Sequence, residues 1–233
     1  MGYSFYEIYI TAQRAFRAMG FPYGADEDAA FIIAWLELNN FKGVTLLQSL
    51  IPDLNQKYEG GIEINNLKEA IDFKNISILI KGPGLIDYMH SIFNNNKKIS
   101  IKIKNCTNGI FFLPLLHKKS ENIQYLKLNF YNSKNEIIIY EIINNEITYR
   151  YEKNLDKMSI DEIRITMDES SDYYNHSLNK IIISKKIIQE NLSNSLSPEI
   201  NTWNDISELA NRTFVPESEE SRNKGAGGGD AND

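Results

Sequence analysis

The hydrophobic positions of this chain change period along its length. Near the start, Ile8, Ala12, Ala15, Phe16 and Met19 recur at helical spacing. They follow Ser4 and Glu7, which stand three apart as in a capping box, and Gly20 stops the run. A second helix is expected from about Ala25 to Asp28, where Asp26, Glu27 and Asp28 suit the positive end of a helix dipole. Its continuation, AAFIIAWLELNN, is apolar on nearly all sides, so it should be covered on more than one face. Gly43 and Val44 lead into a shorter third helix, TLLQSLI, which Pro52 is expected to break.

From about residue 62 the period changes. KEAIDFKNISILI should contain a strand, Gly82-Pro83-Gly84 a turn, and the residues after it, up to FNN, a short helix. Clean alternation follows: Ile99, Ile101 and Ile103 against Ser100, Lys102 and Lys104, then Leu126, Leu128 and Phe130 against Lys127, Asn129 and Tyr131. NSKN at 132–135 and Asn144-Asn145 read as hairpin turns around EIIIYEII, with EITYRYE next, and EIRITM extends an antiparallel meander. NKIIIS reads as one more strand, and KKIIQENLSNS as a helix ended before Pro198. TWNDISELANRTF reads as a last helix, capped by Thr202 or Asn201. The expected class is α+β: N-terminal helices over 1–60, a central, mainly antiparallel sheet region over 61–184, C-terminal helices over 185–215 and a Gly-rich tail over 216–233. No linker forces more than one domain on residues 1–233.

Composition narrows the function classes. With 42% hydrophobic and 24% charged residues the chain has what a core needs, which excludes general disorder. A net charge of -6 gives no overall attraction for a polyanion, so nucleic acid is not expected as a partner. The lysine face of Lys97, Lys98, Lys102 and Lys104, with Tyr125 and Tyr131 nearby, reads as a solvated edge strand guarded by lysines rather than a single-strand-binding surface. The N-terminus has neither a secretory signal nor a membrane span, so a cytoplasmic protein without membrane contact is expected. Abundant Asn, Ile and Lys read as a genome bias.

Local chemistry is sparse. His90, His117 and His176 lie far apart and none has a second ligand at metal-binding spacing, so neither metal nor cofactor is expected. Cys106, the one cysteine, carries no nucleophile signature. KGPG at 81–84 could offer amides to an anion but lacks the spacing of a phosphate loop, and reads as a turn.

The tail RTFVPESEESRNKGAGGGDAND is the richest stretch. Val215-Pro216 forces an extended exit from the last helix. GAGGG allows positive φ and close backbone approach. Hydroxyls, a guanidinium and glycine amides together suit a carboxylate or phosphate. The candidate ligand-binding residues are Arg222 as anion clamp, Thr213, Ser218 and Ser221 as hydroxyl partners, and the amides of Gly225, Gly227 and Gly229. Glu219 is the candidate acid-base group.

Both ends of the chain resemble the uncharacterised bacterial family of domain of unknown function 3726. The N-terminal resemblance rests on Ser4, Glu7, Gly20, Gly24, Trp35 and Leu36. The C-terminal one rests on Arg212, Thr213, Phe214, Val215, Pro216, Ser218, Glu219, Ser221, Arg222, Gly225, Ala226, Gly227, Gly229 and Asp233. The resemblance implies that the tail belongs to the family pattern and is used; it implies no activity. The first two helices also resemble the N-terminal bundle of malate/L-lactate-type dehydrogenases, but the chain is far too short for that fold and lacks its later motifs, so that fold is not expected. What is expected is a protein of small-molecule metabolism whose tail completes a site for a small anionic ligand, an amino or carboxylic acid among the candidates. The alternative is a non-catalytic accessory subunit whose tail docks into a partner enzyme, and self-association is open. Nothing in the residues warrants calling the chain an enzyme.

Overall fold

The computed structural model describes residues 2–61, 64, 69–132, 135–151, 160–169 and 180–214. Helix α1 (Phe5–Ala18) starts at a complete capping box: Ser4 Oγ accepts from the Glu7 N–H, and the Glu7 carboxylate accepts from the Ser4 N–H at 2.7 Å. It ends at Gly20, whose φ of 91° lets the Phe21 N–H return to the Phe16 carbonyl. Helix α2 (Ala25–Leu38) buries Ile32, Ile33, Ala34, Trp35 and Leu36 in succession, as an all-apolar helix must, and packs against α1 and against α3 (Gly43–Leu54). Gly43 permits the second contact, because a Cβ there would stand 2.1 Å from the Ile33 carbonyl oxygen. Pro52 lies inside α3 and does not break it at once; the helix ends two residues later.

The strand expected before residue 80 is only Ile71–Asp72 (β1), and Ile78, Leu79 and Ile80 belong to helix α4 (Ile78–Asn96). The Gly82-Pro83-Gly84 turn is therefore corrected: these residues are helical. Ser77 caps α4 through the Leu79 N–H, and Gly82 faces Ile78, Leu115 and Phe112 so closely that its missing side chain lets α4 lie on α5 (Phe112–Lys119). A 3-10 turn over Gly109–Phe111 leads into α5.

The remaining strands are β2 (Lys98–Lys104), β3 (Tyr125–Asn132), β4 (Asn135–Ile143), β5 (Glu146–Tyr151), β6 (Glu162–Asp168) and β7 (Lys180–Ile183). They form a seven-stranded sheet in the order β1-β2-β6-β3-β4-β5-β7. Only the β1–β2 pair is parallel, so the α+β class with helices at both ends of the chain holds. The meander is confined to β3-β4-β5, since β6 inserts between β2 and β3 before β7 returns to pair with β5. Asn144 and Asn145, with φ of 50° and 63°, make the tight β4–β5 turn. The alternating residues of β2 and β3, with Ile163, Ile165 and Met167 of β6, are buried with α4 and α5 in the hydrophobic core.

β2 is not an edge strand, which corrects the reading of its lysines. It lies between β1 and β6, and Lys98 pairs with Asp168, Lys97 with Glu169 at 3.5 Å and Lys104 with Asp72 at 3.9 Å. Tyr125 donates to Glu141 and Tyr131 lies under the Arg164 guanidinium, so the face is a neutralised one.

Helix α6 (Lys185–Ser193) is capped by Ser184. In α7 (Ile200–Asn211) the N-cap is Glu199; the expected caps Asn201 and Thr202 lie inside the helix, and Thr202 instead donates to Gln48 of α3 at 3.1 Å. Tyr3 and Leu196 exchange backbone hydrogen bonds, and the Tyr3 ring lies 4.2 Å from that of Trp203, which fixes α7 beside α1. Among the described residues no helix is long and apolar enough to cross a membrane.

Candidate functional site

Three parts of the chain line one cleft of about 720 Å³: Pro22 to Asp28; Tyr58, Gly61 and Ile64; and Leu79 to Tyr88. The first segment is held by an ion pair. Arg17 Nε donates to Asp26 Oδ2 at 2.6 Å, Asp26 is fully buried, and the same guanidinium lies 4.5 Å from the Tyr23 ring centroid. Tyr23 is thus fixed at the cleft rim although 83% exposed. The second segment is tied down by Gln56, whose N–H donates to the Met19 carbonyl and whose side chain donates to the Ala18 carbonyl. Tyr58 then meets Phe21 edge-on at 4.9 Å.

The third segment is the first three turns of α4. The N–H groups of Leu79, Ile80 and Lys81 are taken by Ser77, so the helix end itself has little left to offer an anion. Pro83 has no N–H to give the Leu79 carbonyl. Lys81, Pro83 and Gly84 of KGPG line the cleft; Lys81 is only 9% exposed, and its Nζ lies 5.9 Å from the Phe73 ring centroid. No described carboxylate is in ion-pair contact with it.

Two carboxylates face the same space. Asp87 is paired with Lys119 Nζ at 2.8 Å. Asp28, half-buried on α2, has no ion-pair partner among the described residues, and burial raises its carboxyl above the usual range against the opposing fields of Lys118 and Lys119. Burial, and then the Asp28 charge, raises the Tyr58 hydroxyl. With Tyr88 at the other rim, the cleft combines one amine, one unpaired carboxylate and three tyrosines. Such a set has the chemistry to pair with a small polar molecule by complementary charge and to cover it with ring faces.

Of the tail residues proposed from the sequence, Thr213 alone is described: its hydroxyl donates to the Ala210 carbonyl at 2.8 Å. Ser218, Glu219, Ser221, Arg222, Gly225, Gly227 and Gly229 lie outside the described residues, as does His176. The last described residue, Phe214, carries the Arg14 guanidinium 4.8 Å from its ring centroid. Cys106 lies in a separate hollow, and burial pushes its thiol up to about 12, which keeps it un-ionised. His117 is part-buried against Trp35, its Nε2 3.4 Å from the Asn145 carbonyl, and burial lowers its pKa. Sequence reasoning missed Lys81 and Asp28 as a set; the only hint was KGPG, weighed for its amides rather than its lysine.

The fold is shared with solved dehydrogenases. The chain is similar to the sulfolactate dehydrogenase from Methanocaldococcus jannaschii (10% identity, TM-score 0.62, covering 91% of this chain and 97% of that one). It is also similar to the malate dehydrogenase from Pyrococcus horikoshii (8%, 0.62, 94% and 97%) and a dehydrogenase from Sinorhizobium meliloti (7%, 0.63, 90% and 99%). At such identities the likeness is one of fold alone. It nevertheless overturns the expectation that this chain is too short for the malate/L-lactate-type fold. Residues 3–83, which supply most of the cleft, match the family model described as Protein of unknown function (DUF3726). The tail pattern lies outside the matched residues. No curated protein sequence matches the chain.

Proposed function

We propose that the protein serves small-molecule metabolism by binding a small anionic ligand in the cleft between α2 and α4, and that its C-terminal tail completes the site. The observation that carries this reading is Lys81. As a residue it is nine-tenths buried and has no carboxylate partner among the described residues, so a ligand carboxylate or phosphate in the cleft supplies a countercharge. Similarity of fold to enzymes named for malate and sulfolactate, both small anions, is consistent with it.

The tail starts close enough to take part. Arg14, against Phe214, and Arg17, against Tyr23 at the rim, are three residues apart and so on one face of α1, about 4.5 Å along its axis. The segment from Phe214 to Arg222 spans up to roughly 28 Å when extended. Arg222, Ser218, Ser221 and the amides of Gly225, Gly227 and Gly229 are therefore within reach of the cleft, and Glu219 with them.

The test is a thermal-shift screen of the full chain with a panel of carboxylic, hydroxy, amino and phosphorylated acids, followed by calorimetry on the hits. Lys81→Met should weaken binding about tenfold to a hundredfold, the range of one charge-assisted hydrogen bond, without lowering the melting temperature. Arg222→Ala should abolish binding at an almost unchanged melting temperature. Binding that survives Lys81→Met overturns the cleft as the site. Binding that survives Arg222→Ala overturns the tail's part in it, and a protein partner captured only when residues 216–233 are present would favour the accessory-subunit reading.

A further inference from the structure

A simple anion leaves one feature of the cleft unaccounted for. Lys81 and Asp28 line the same space from different helices, and each lacks an ion-pair partner among the described residues. The charges that bear most on Asp28 are Lys118 and Lys119 of α5, Asp87 of α4 and its own neighbour Glu27. Asp87 is already held by Lys119, whereas Lys118 lies against the Phe31 ring at 5.2 Å. A ligand with negative charge alone would satisfy Lys81 and then face an unpaired carboxylate across the cleft, which costs affinity as any like-charge contact in a partly dry site does.

We propose that the ligand of this cleft is an amino acid, its carboxylate on Lys81 and its ammonium on Asp28, with its side chain among Tyr23, Tyr58 and Tyr88. This rests on the reading of the cleft as the ligand site. The zwitterion matches both walls at once, and each wall's charge is neutralised by the ligand rather than by the protein. The tyrosines suit either end of such a molecule. Their ring faces attract an ammonium and cover an apolar or aromatic side chain, and Tyr23 and Tyr88 are 83% and 40% exposed at the mouth, where a ligand would cover them. Arg17 holds the Tyr23 ring from outside, so the rim is in place before the ligand arrives.

The experiment is calorimetry on the full chain with the common amino acids and with their 2-hydroxy acid counterparts, which keep the carboxylate and lose the ammonium. The wild-type protein should prefer the amino acid by about tenfold or more. Asp28→Asn, which keeps the shape of the side chain and its ability to hydrogen-bond, should remove that preference by weakening the amino acid and leaving the hydroxy acid equal or tighter. Lys81→Met should weaken both, and circular dichroism should show both variants folded. If hydroxy acids bind as well as amino acids, or if Asp28→Asn weakens both equally, the amino-acid assignment is wrong while the anion reading stands. If neither class binds, or binding ignores Lys81→Met, both fall together.

Discussion

At the scale of single residues, the rim of the cleft depends on one ion pair. Asp26 is fully buried, and Oδ1 of its carboxylate has no hydrogen-bond partner among the described residues, so Arg17 is what compensates its charge. Removing one member of such a pair leaves the other uncompensated. Arg17→Met should therefore destabilise the protein by about 3 kcal/mol in urea unfolding, reduced by the partial exposure of the arginine, and should also free the Tyr23 ring. A loss under about 0.5 kcal/mol would show that water or rearrangement satisfies Asp26 instead. The acidic residues at 26–28 were legible as a helix start, yet their roles diverge. Asp26 points into an ion pair and Asp28 into a cleft, a difference that depends on which neighbour each meets.

At the scale of elements, what was local was legible. The capping box, the stop at Gly20, the alternating strands and the Asn144-Asn145 turn need only a few consecutive residues to declare themselves. Helix α4 was not legible as a whole, because Gly82 and Pro83 are poor helix residues and their local preference is for a turn. Packing reverses that preference: Ile78, Leu79, Leu85, Ile86 and Met89 are buried, and a Cβ at Gly82 would stand 3.3 Å from Leu115 of α5. Helix α5 carries Pro114 and only eight residues, too little for periodicity to mark it out. The same close-approach argument yields a prediction at Gly43. An alanine there, at the first position of α3, gains little in helix propensity and puts a methyl 2.1 Å from the Ile33 carbonyl, a backbone atom that can yield only if α3 moves off α2. Gly43→Ala should cost about 2 kcal/mol net in urea unfolding, and a neutral or stabilised variant would show that the helix contact is slack.

At the scale of the whole molecule, His117 joins the helices to the sheet, between Trp35 of α2 and the carbonyl of Asn145 in the β4–β5 turn. Burial lowers its pKa in the folded state; the Asn145 contact and Glu121 oppose this without cancelling it. In the unfolded chain it titrates near the ordinary value of about 6.5. As pH falls below that value the unfolded chain takes up a proton that the folded one resists, so stability present at neutral pH is lost on acidification. His117→Gln should flatten this part of the stability profile between about pH 6.5 and 5, measured by urea unfolding at each pH; an unchanged slope would assign the acid sensitivity elsewhere.

The sequence by itself determined the helices at both ends, the mainly antiparallel sheet and the faces of its central strands, because each follows from propensity and periodicity within a short window. Tertiary structure decided that β6 lies between β2 and β3, that the KGPG segment is helical, and that Lys81 and Asp28 share a cleft. It also decided the likeness to dehydrogenases that chain length had argued against. These outcomes depend on contacts between segments far apart along the chain or on different helices, whose free energy is realised only when the elements pack.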